Sequence, residues 1–178
     1  MTIREATRDD IPGIARVHVN TWRTAYRGIV PDSFFDSLTY ESRAADWQNE
    51  FPPPELGGFV YVAEVEGEIV GFVLAGPPDP PRPDYDSEIG ALHVTPEHQG
   101  KGLGRALVRA VARRLHERGA ATMLLYVFRD NEPARRFYEA LGGELLNERT
   151  LEIAGKTIHE VAYGWRDITT LLGEEGRS

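Results

Sequence analysis

Apolar positions along this chain follow two rhythms, and the changes of rhythm mark its elements. Residues 3–6 read as a short first strand. Asp9 and Asp10 stand where a helix cap is expected, with Pro12 in the first turn. Ile11, Ile14, Ala15, Val17 and Trp22 then give a helix with one buried face. Residues 31–38 and 42–50 predict two short helices, and Phe51-Pro52-Pro53-Pro54 breaks the chain. Residues 59–65 and 68–74 predict strands joined at Glu66-Gly67, a hairpin signal. Residues 76–87 hold five prolines, which prescribe a stiff, extended loop before a strand over 88–94.

The strongest helical stripe is Leu103, Ala106, Leu107, Ala110, Val111 and Leu115, predicting a helix over 103–118. Arg113, Arg114, His116 and Arg118 crowd its C-terminal end, where the dipole favours cations, and Gly119 stops it. The unbroken apolar run over 122–128 predicts a buried strand. A helix follows over 132–141, ended by Gly142-Gly143, and a final hairpin over 144–153 and 157–165 turns at Ala154-Gly155. Residues 167–178 are polar and are expected to form a loose tail after a single domain of residues 1–166. This order predicts an α/β or α+β fold, a mixed sheet with helices on both faces.

Composition narrows the classes. A chain of 178 residues, 41% of them hydrophobic, suits one domain with a sizeable core. The absence of cysteine removes disulfides, thiolate metal sites and a cysteine nucleophile. The first residues lack a basic segment followed by an apolar one, and no apolar run approaches the length of a membrane span, so a cytoplasmic protein with no membrane partner is expected. A net charge of −8 argues against nucleic acid as a partner, although acidic surfaces also serve solubility.

The chemistry concentrates at Val94-Thr95-Pro96-Glu97-His98-Gln99-Gly100-Lys101-Gly102-Leu103-Gly104-Arg105, between a strand and the strongest helix. Glycines entering a helix leave unpaired, unshielded N–H groups at the positive end of its dipole, a ready site for phosphate. The dinucleotide pattern Gly-x-Gly-x-x-Gly fails because Arg105 occupies its third glycine position, and no Gly-x-x-x-x-Gly-Lys-Ser/Thr string exists. What remains is Gln99-x-x-Gly102-x-Gly104. About thirty residues later comes Asn131-x-x-Ala134-x-x-Phe137-Tyr138-Glu139-x-x-Gly142. Asn131 and Tyr138 are two helical turns apart and share a face with Arg135.

These two signatures, in this order and on these elements, resemble the GNAT superfamily, the GCN5-related N-acetyltransferases. The resemblance spans Ile3 to Trp165. It implies a mostly antiparallel sheet in which one parallel strand pair, 88–94 and 122–128, splays open to admit acetyl-CoA. It further implies that backbone groups of Leu92, His93 and Val94 pair with the pantetheine arm, an N–H at Leu92 or His93 polarising the thioester carbonyl. Gln99, Gly100, Lys101, Gly102, Leu103, Gly104 and Arg105 would hold the pyrophosphate, Lys101 and Arg105 adding charge. Arg135 or Arg136 would meet the 3′-phosphate, and Asn131 would bond the cofactor arm or an ordered water.

An alkylamine of pKa about 10.4 is only about one part in a thousand neutral at pH 7, so acyl transfer needs a base. The carbonyl oxygen must also be stabilised, and the leaving thiolate protonated. Without cysteine, direct attack in a ternary complex is expected. Tyr138 matches the superfamily's general acid. Glu88 lies eleven residues before Gln99, the offset of the catalytic glutamate in the histone acetyltransferase branch. It should sit roughly 20 Å along the strand from Val94, at the acceptor end, as base; a water relay is the alternative.

The stretch from His18 to Pro31 resembles the first-helix region of a broad bacterial subgroup, which walls the acceptor side. Trp22 and Tyr26 share a helical face and are candidates to line the pocket, as packing alone also explains. Arg27 is a candidate for an acceptor carboxylate or a helix end, and Tyr85 for the cleft. The acceptor expected is a small-molecule amine, with peptide N-termini or lysines second; the acidic balance mildly favours a cationic acceptor. A non-catalytic acyl-CoA sensor is the reading from another class. His93 and His98 complete no recognised metal-ligand spacing, so no metal is expected. The final hairpin can pair across a homodimer, and a monomer is nearly as compatible.

Overall fold

Tight turns at positive φ lay out the sheet. Strands β2 (Phe59–Val65) and β3 (Glu68–Gly76) turn through Glu66 and Gly67, at φ 52° and 83°. Strands β6 (Glu144–Ile153) and β7 (Lys156–Trp165) turn through Ala154 and Gly155, at 49° and 79°. Two successive left-handed residues make the turn whose twist matches its flanking strands. The computed structural model describes residues 1–52 and 56–173; Pro53, Pro54 and residues 174–178 of the expected break and tail lie outside them. With β1 (Thr2–Glu5), β4 (Glu88–Val94) and β5 (Met123–Phe128), these strands form a seven-stranded sheet in the order β1-β2-β3-β4-β5-β7-β6. Among the described residues, β4–β5 is its one parallel pair.

Strand alternation divides the core between two faces. Val60, Val62 and Phe72 face helix α1 (Ile11–Ala25), joined by Trp47 of α3 (Tyr40–Glu50). Phe59, Val70 and Val73 face α4 (Leu103–Glu117), and Tyr138 of α5 (Glu132–Ala140) belongs to the same cluster. A third cluster joins Val19 of α1 and Phe35 of α2 (Asp32–Asp36) to Phe128, Ile153 and Ile158. Among the described residues no helix is long and apolar enough to cross a membrane.

Two expectations are corrected. Neither Asp9 nor Asp10 caps α1. Thr7 starts a short 3-10 turn, and the Asp10 carboxylate turns back to accept from the Thr7 N–H (2.9 Å) and both terminal nitrogens of Arg4 (2.8 Å each). The tail is also not loose over residues 167–173. Asp167 accepts from the Thr169 N–H at 2.9 Å and opens a 3-10 turn. Ile168, Leu171 and Leu172 are buried in the α4 cluster, and Arg109 Nε donates to the Leu172 carbonyl at 2.7 Å. Three apolar residues on one turn outweigh the polar average that suggested looseness.

Candidate active site

The parallel pair supplies the opening. β4 and β5 pair only at Glu88–Leu124 and Ile89–Leu125. At Gly90 the β3–β4 register shifts, since Leu74 faces Ala91 but Ala75 faces Ile89. Such a bulge bends its strand, and beyond it the two strands part. The gap is a cleft of about 910 Å³ running from the α4 N-terminus to α1 and the β6–β7 hairpin.

One half of this cleft is backbone. The Thr95 N–H donates to the Val70 carbonyl at 2.9 Å, which places the β3-directed groups of β4 at alternate residues, Thr95 and His93. Leu92 and Val94 therefore turn their polar groups toward the open edge. The Gln99 amide already donates to the Val94 carbonyl at 2.9 Å. Of the two sequence candidates, the Leu92 N–H faces the open edge and that of His93 faces β3. Gly100 and Gly102 adopt φ 72° and 83°, and nothing lies within 4 Å of where their Cβ atoms would be. Side chains there would be strained and would fill the cleft mouth. The first helical bond of α4 runs from the Ala106 N–H to the Gly102 carbonyl at 3.0 Å, so the N–H groups of Leu103, Gly104 and Arg105 lack intrahelical acceptors. Gly104 also has a packing reason, since a Cβ there would come within 3.2 Å of the Phe137 ring. Leu103 is buried and contributes backbone alone, Arg105 lines the cleft, and exposed Lys101 does not.

Midway, α5 places Asn131 and Tyr138 on the cleft. Asn131 Oδ1 caps the helix by accepting from the Ala134 N–H at 3.4 Å. Tyr138 is buried between Phe137, Tyr163 and Trp165, and its hydroxyl has no protein hydrogen bond among the described residues. Burial pushes its pKa well above the ordinary tyrosine value, so the phenol keeps its proton at neutral pH.

The other half is side chain. Trp22 and Tyr26 meet edge to face with ring centroids 4.7 Å apart, and Tyr26 meets Phe128 at 4.6 Å. Tyr126, Leu151, Ile153 and Glu160 complete this end. None of those four, nor Phe128, was marked by the sequence. The apolar run of β5 does not reveal which residues face the cleft, and Glu160 is legible only as a lone acid in step with Ile158 and Ala162 on β7. Burial raises the Tyr26 pKa, with Tyr138 and Glu160 adding to the rise. Lys156 at the hairpin tip donates to the Ile29 carbonyl at 2.9 Å and ties the two walls together. Behind them His18 stacks on His93 at 5.2 Å and accepts from Trp47 Nε1 at 3.2 Å. Burial lowers His18 to about 2, helped by His93 and Arg43, and lowers His93 to about 4, so both are neutral.

Several candidates stand elsewhere. Glu88 lies at the closed end of the β4–β5 pair and is not part of the cleft wall. Its carboxylate accepts from the Asp79 N–H at 3.3 Å, and burial raises its pKa against that bond and the charge of Arg149. Arg135 turns from the cleft to Tyr163 Oη and the Arg129 carbonyl, both at 3.1 Å; Arg136 is exposed and pairs with Glu132 at 3.3 Å. Arg27 caps its own helix through the Arg23 carbonyl at 3.3 Å and lies over Phe35. Tyr85 fills the slot over Gly164, where a Cβ would meet its oxygen at 2.5 Å. No group of three metal-ligating side chains is assembled among the described residues.

Comparison with known proteins agrees with this geometry. The acetyltransferase (GNAT) family profile matches residues 19–143. The uncharacterized N-acetyltransferase YuaI of Bacillus subtilis (strain 168) is 36% identical over 171 residues, 96% of each chain. Among solved structures, the PaiA N-acetyltransferase of Thermoplasma acidophilum in complex with coenzyme A superposes with a TM-score of 0.68 at 20% identity, over 89% of this chain and 96% of that one. The YncA protein of Salmonella typhimurium, with its cofactor acetyl-CoA, gives 0.68 at 23% identity, over 93% and 92%. At these identities the two structures carry the fold.

Proposed function

The chain belongs to the acetyltransferase (GNAT) family, an N-acetyltransferase by that membership, and we propose that it moves the acetyl group of acetyl-CoA onto the primary amine of a small molecule. The observation that carries the small-molecule reading is the bridge at the acceptor end. The hydrogen bond from Lys156 to Ile29, backed by the cluster of Val19, Phe35, Phe128, Ile153 and Ile158, ties the β6–β7 hairpin to the segment after α1, which favours a compact acceptor over an extended peptide.

The pyrophosphate lies on the N–H groups from Gly100 to Arg105, and the pantetheine arm follows the open edge of β4. The neutral amine attacks the thioester carbon directly. A C–N bond forms, the carbonyl oxygen gains charge against the Leu92 N–H, and the C–S bond then breaks. Tyr138 gives its proton to the departing thiolate. The proton lost by the amine goes to Glu88 through water, since that carboxylate is set back from the cleft. Residues 1–173 act as one domain in this scheme, because both halves of the cleft belong to one sheet.

Free-thiol release from acetyl-CoA against polyamines, amino acids, aminoglycosides, arylalkylamines and short peptides tests this reading. Acceleration by a small amine supports it, and acceleration by peptides alone overturns the acceptor class. Glu88→Gln should abolish the acid limb of the pH–rate profile, which the raised carboxyl pKa moves toward neutrality. An unshifted profile removes Glu88 as the proton acceptor.

A further inference from the structure

We propose that Glu160 receives the ammonium group of the acceptor inside an aromatic enclosure, and that the acceptor is a primary amine on an apolar body with no carboxylate beside the nitrogen. The inference rests on the acetyl-transfer reading and names its substrate class.

Glu160 lies on β7 directly opposite Phe128 of β5 and lines the cleft with its side chain 13% exposed. Arg149 Nε donates to one of its oxygens, Oε2, at 2.8 Å. The other oxygen has no protein partner among the described residues. A carboxylate offers about four acceptor sites, so Glu160 keeps capacity for a cation after pairing with Arg149. The rings that meet there, Trp22, Tyr26 and Phe128, present π faces and edges suited to an alkylammonium and the apolar group behind it. Glu160, Tyr26 and Tyr138 line the same cleft, so an amine held at Glu160 stands in the space that Tyr138 also faces.

The charges on the wall decide what else the acceptor carries. Cationic side chains on the cleft lie at the pyrophosphate end, at Arg105. His18 and His93 are neutral, and the Arg149 guanidinium lies over the Tyr126 ring, 3.4 Å from its centroid, off the cleft wall. A carboxylate next to the acceptor nitrogen would face Glu160 with no cationic partner on the cleft wall, a like-charge contact.

The test compares 2-phenylethylamine with phenylalanine, which has the same apolar body and adds the carboxylate. Binding of each to the protein–coenzyme A complex is measured by calorimetry, and turnover with acetyl-CoA by thiol release. The amine should exceed phenylalanine about 100-fold in affinity and in kcat/KM. Glu160→Gln should weaken the amine about 10- to 100-fold and leave acetyl-CoA affinity unchanged. Arg149→Met, which breaks the same ion pair but spares the carboxylate, should not weaken it. Equal use of phenylalanine, no binding of the amine, or equal losses in the two variants overturns the proposal. Glu160-dependent binding without thiol release supports this site and overturns the transfer reading. Turnover of amines that ignores Glu160 does the reverse.

Discussion

Along the cofactor half of the cleft the protein presents backbone, whereas along the acceptor half it presents side chains. The first half is one contiguous run, the edge of β4, two glycines at positive φ and the N-terminus of α4. The second draws Trp22 and Tyr26 from α1, Tyr126 and Phe128 from β5, Leu151 and Ile153 from β6 and Glu160 from β7. Backbone donors fit a phosphate whatever the neighbouring side chains are, provided those stay small. A side-chain pocket has the shape and charge of its residues, and any one of them changes what it accepts. On the proposed function, the invariant chemistry of the acyl donor falls to a local segment, and acceptor choice to four elements brought together by folding.

Variants on either side should separate the halves. The largest effect is expected where they meet. Tyr138→Phe should lower kcat about 100- to 10,000-fold and leave acetyl-CoA affinity unchanged, read by single-turnover kinetics and calorimetry. Retained turnover would remove its acid role. Gly102→Val puts a β-branched residue at φ 83° and a side chain in the phosphate space. It should weaken acetyl-CoA about 100-fold without altering selectivity among amines. Trp22→Leu should raise the amine KM about 10-fold with acetyl-CoA affinity intact; a loss on the cofactor side instead would mean that the halves are not separable.

A separate, pH-dependent effect on stability lies behind the acceptor half. His18 and His93 are held at about 2 and about 4 in the folded protein, below the ordinary 6.5. Between pH 6.5 and about 4 the unfolded chain binds more protons than the folded one. Stability is therefore full above 6.5 and falls as pH falls through this window, by at most about 1.4 kcal/mol per pH unit for each histidine. His18→Gln should flatten this slope in a series of melting curves. An unchanged slope would assign it to other groups.

The sequence carried the elements closely. β2, β4 and β6 occupy the predicted residues, and α4 ends one residue early. Their signals are local: turn pairs such as Glu66-Gly67, an apolar stripe, a glycine stop. The glycine segment was legible for the same reason, since a chain that offers its own N–H groups must keep its side chains small at successive positions. Where sequence reading assigned long side chains by neighbourhood or helical phase, folding sent several elsewhere. Arg135 shares the α5 phase of Asn131 and Tyr138, yet its guanidinium reaches Tyr163 and Arg129. Tyr85, in the proline-rich loop and a candidate for the cleft, packs instead over Gly164 because a strand position without a side chain leaves it a slot.

By itself, then, the sequence determined the order of elements and the glycine segment at the start of α4, because each depends on residues adjacent along the chain. Tertiary structure alone decided that Glu160 lines the cleft with Tyr26 and Tyr138, that Glu88 is set back from the cleft, and that the segment through Leu172 completes the core. These depend on strand parity, on a bulge at Gly90 and on contacts between residues far apart in the chain, and no local pattern encodes which way a side chain on a buried strand will face.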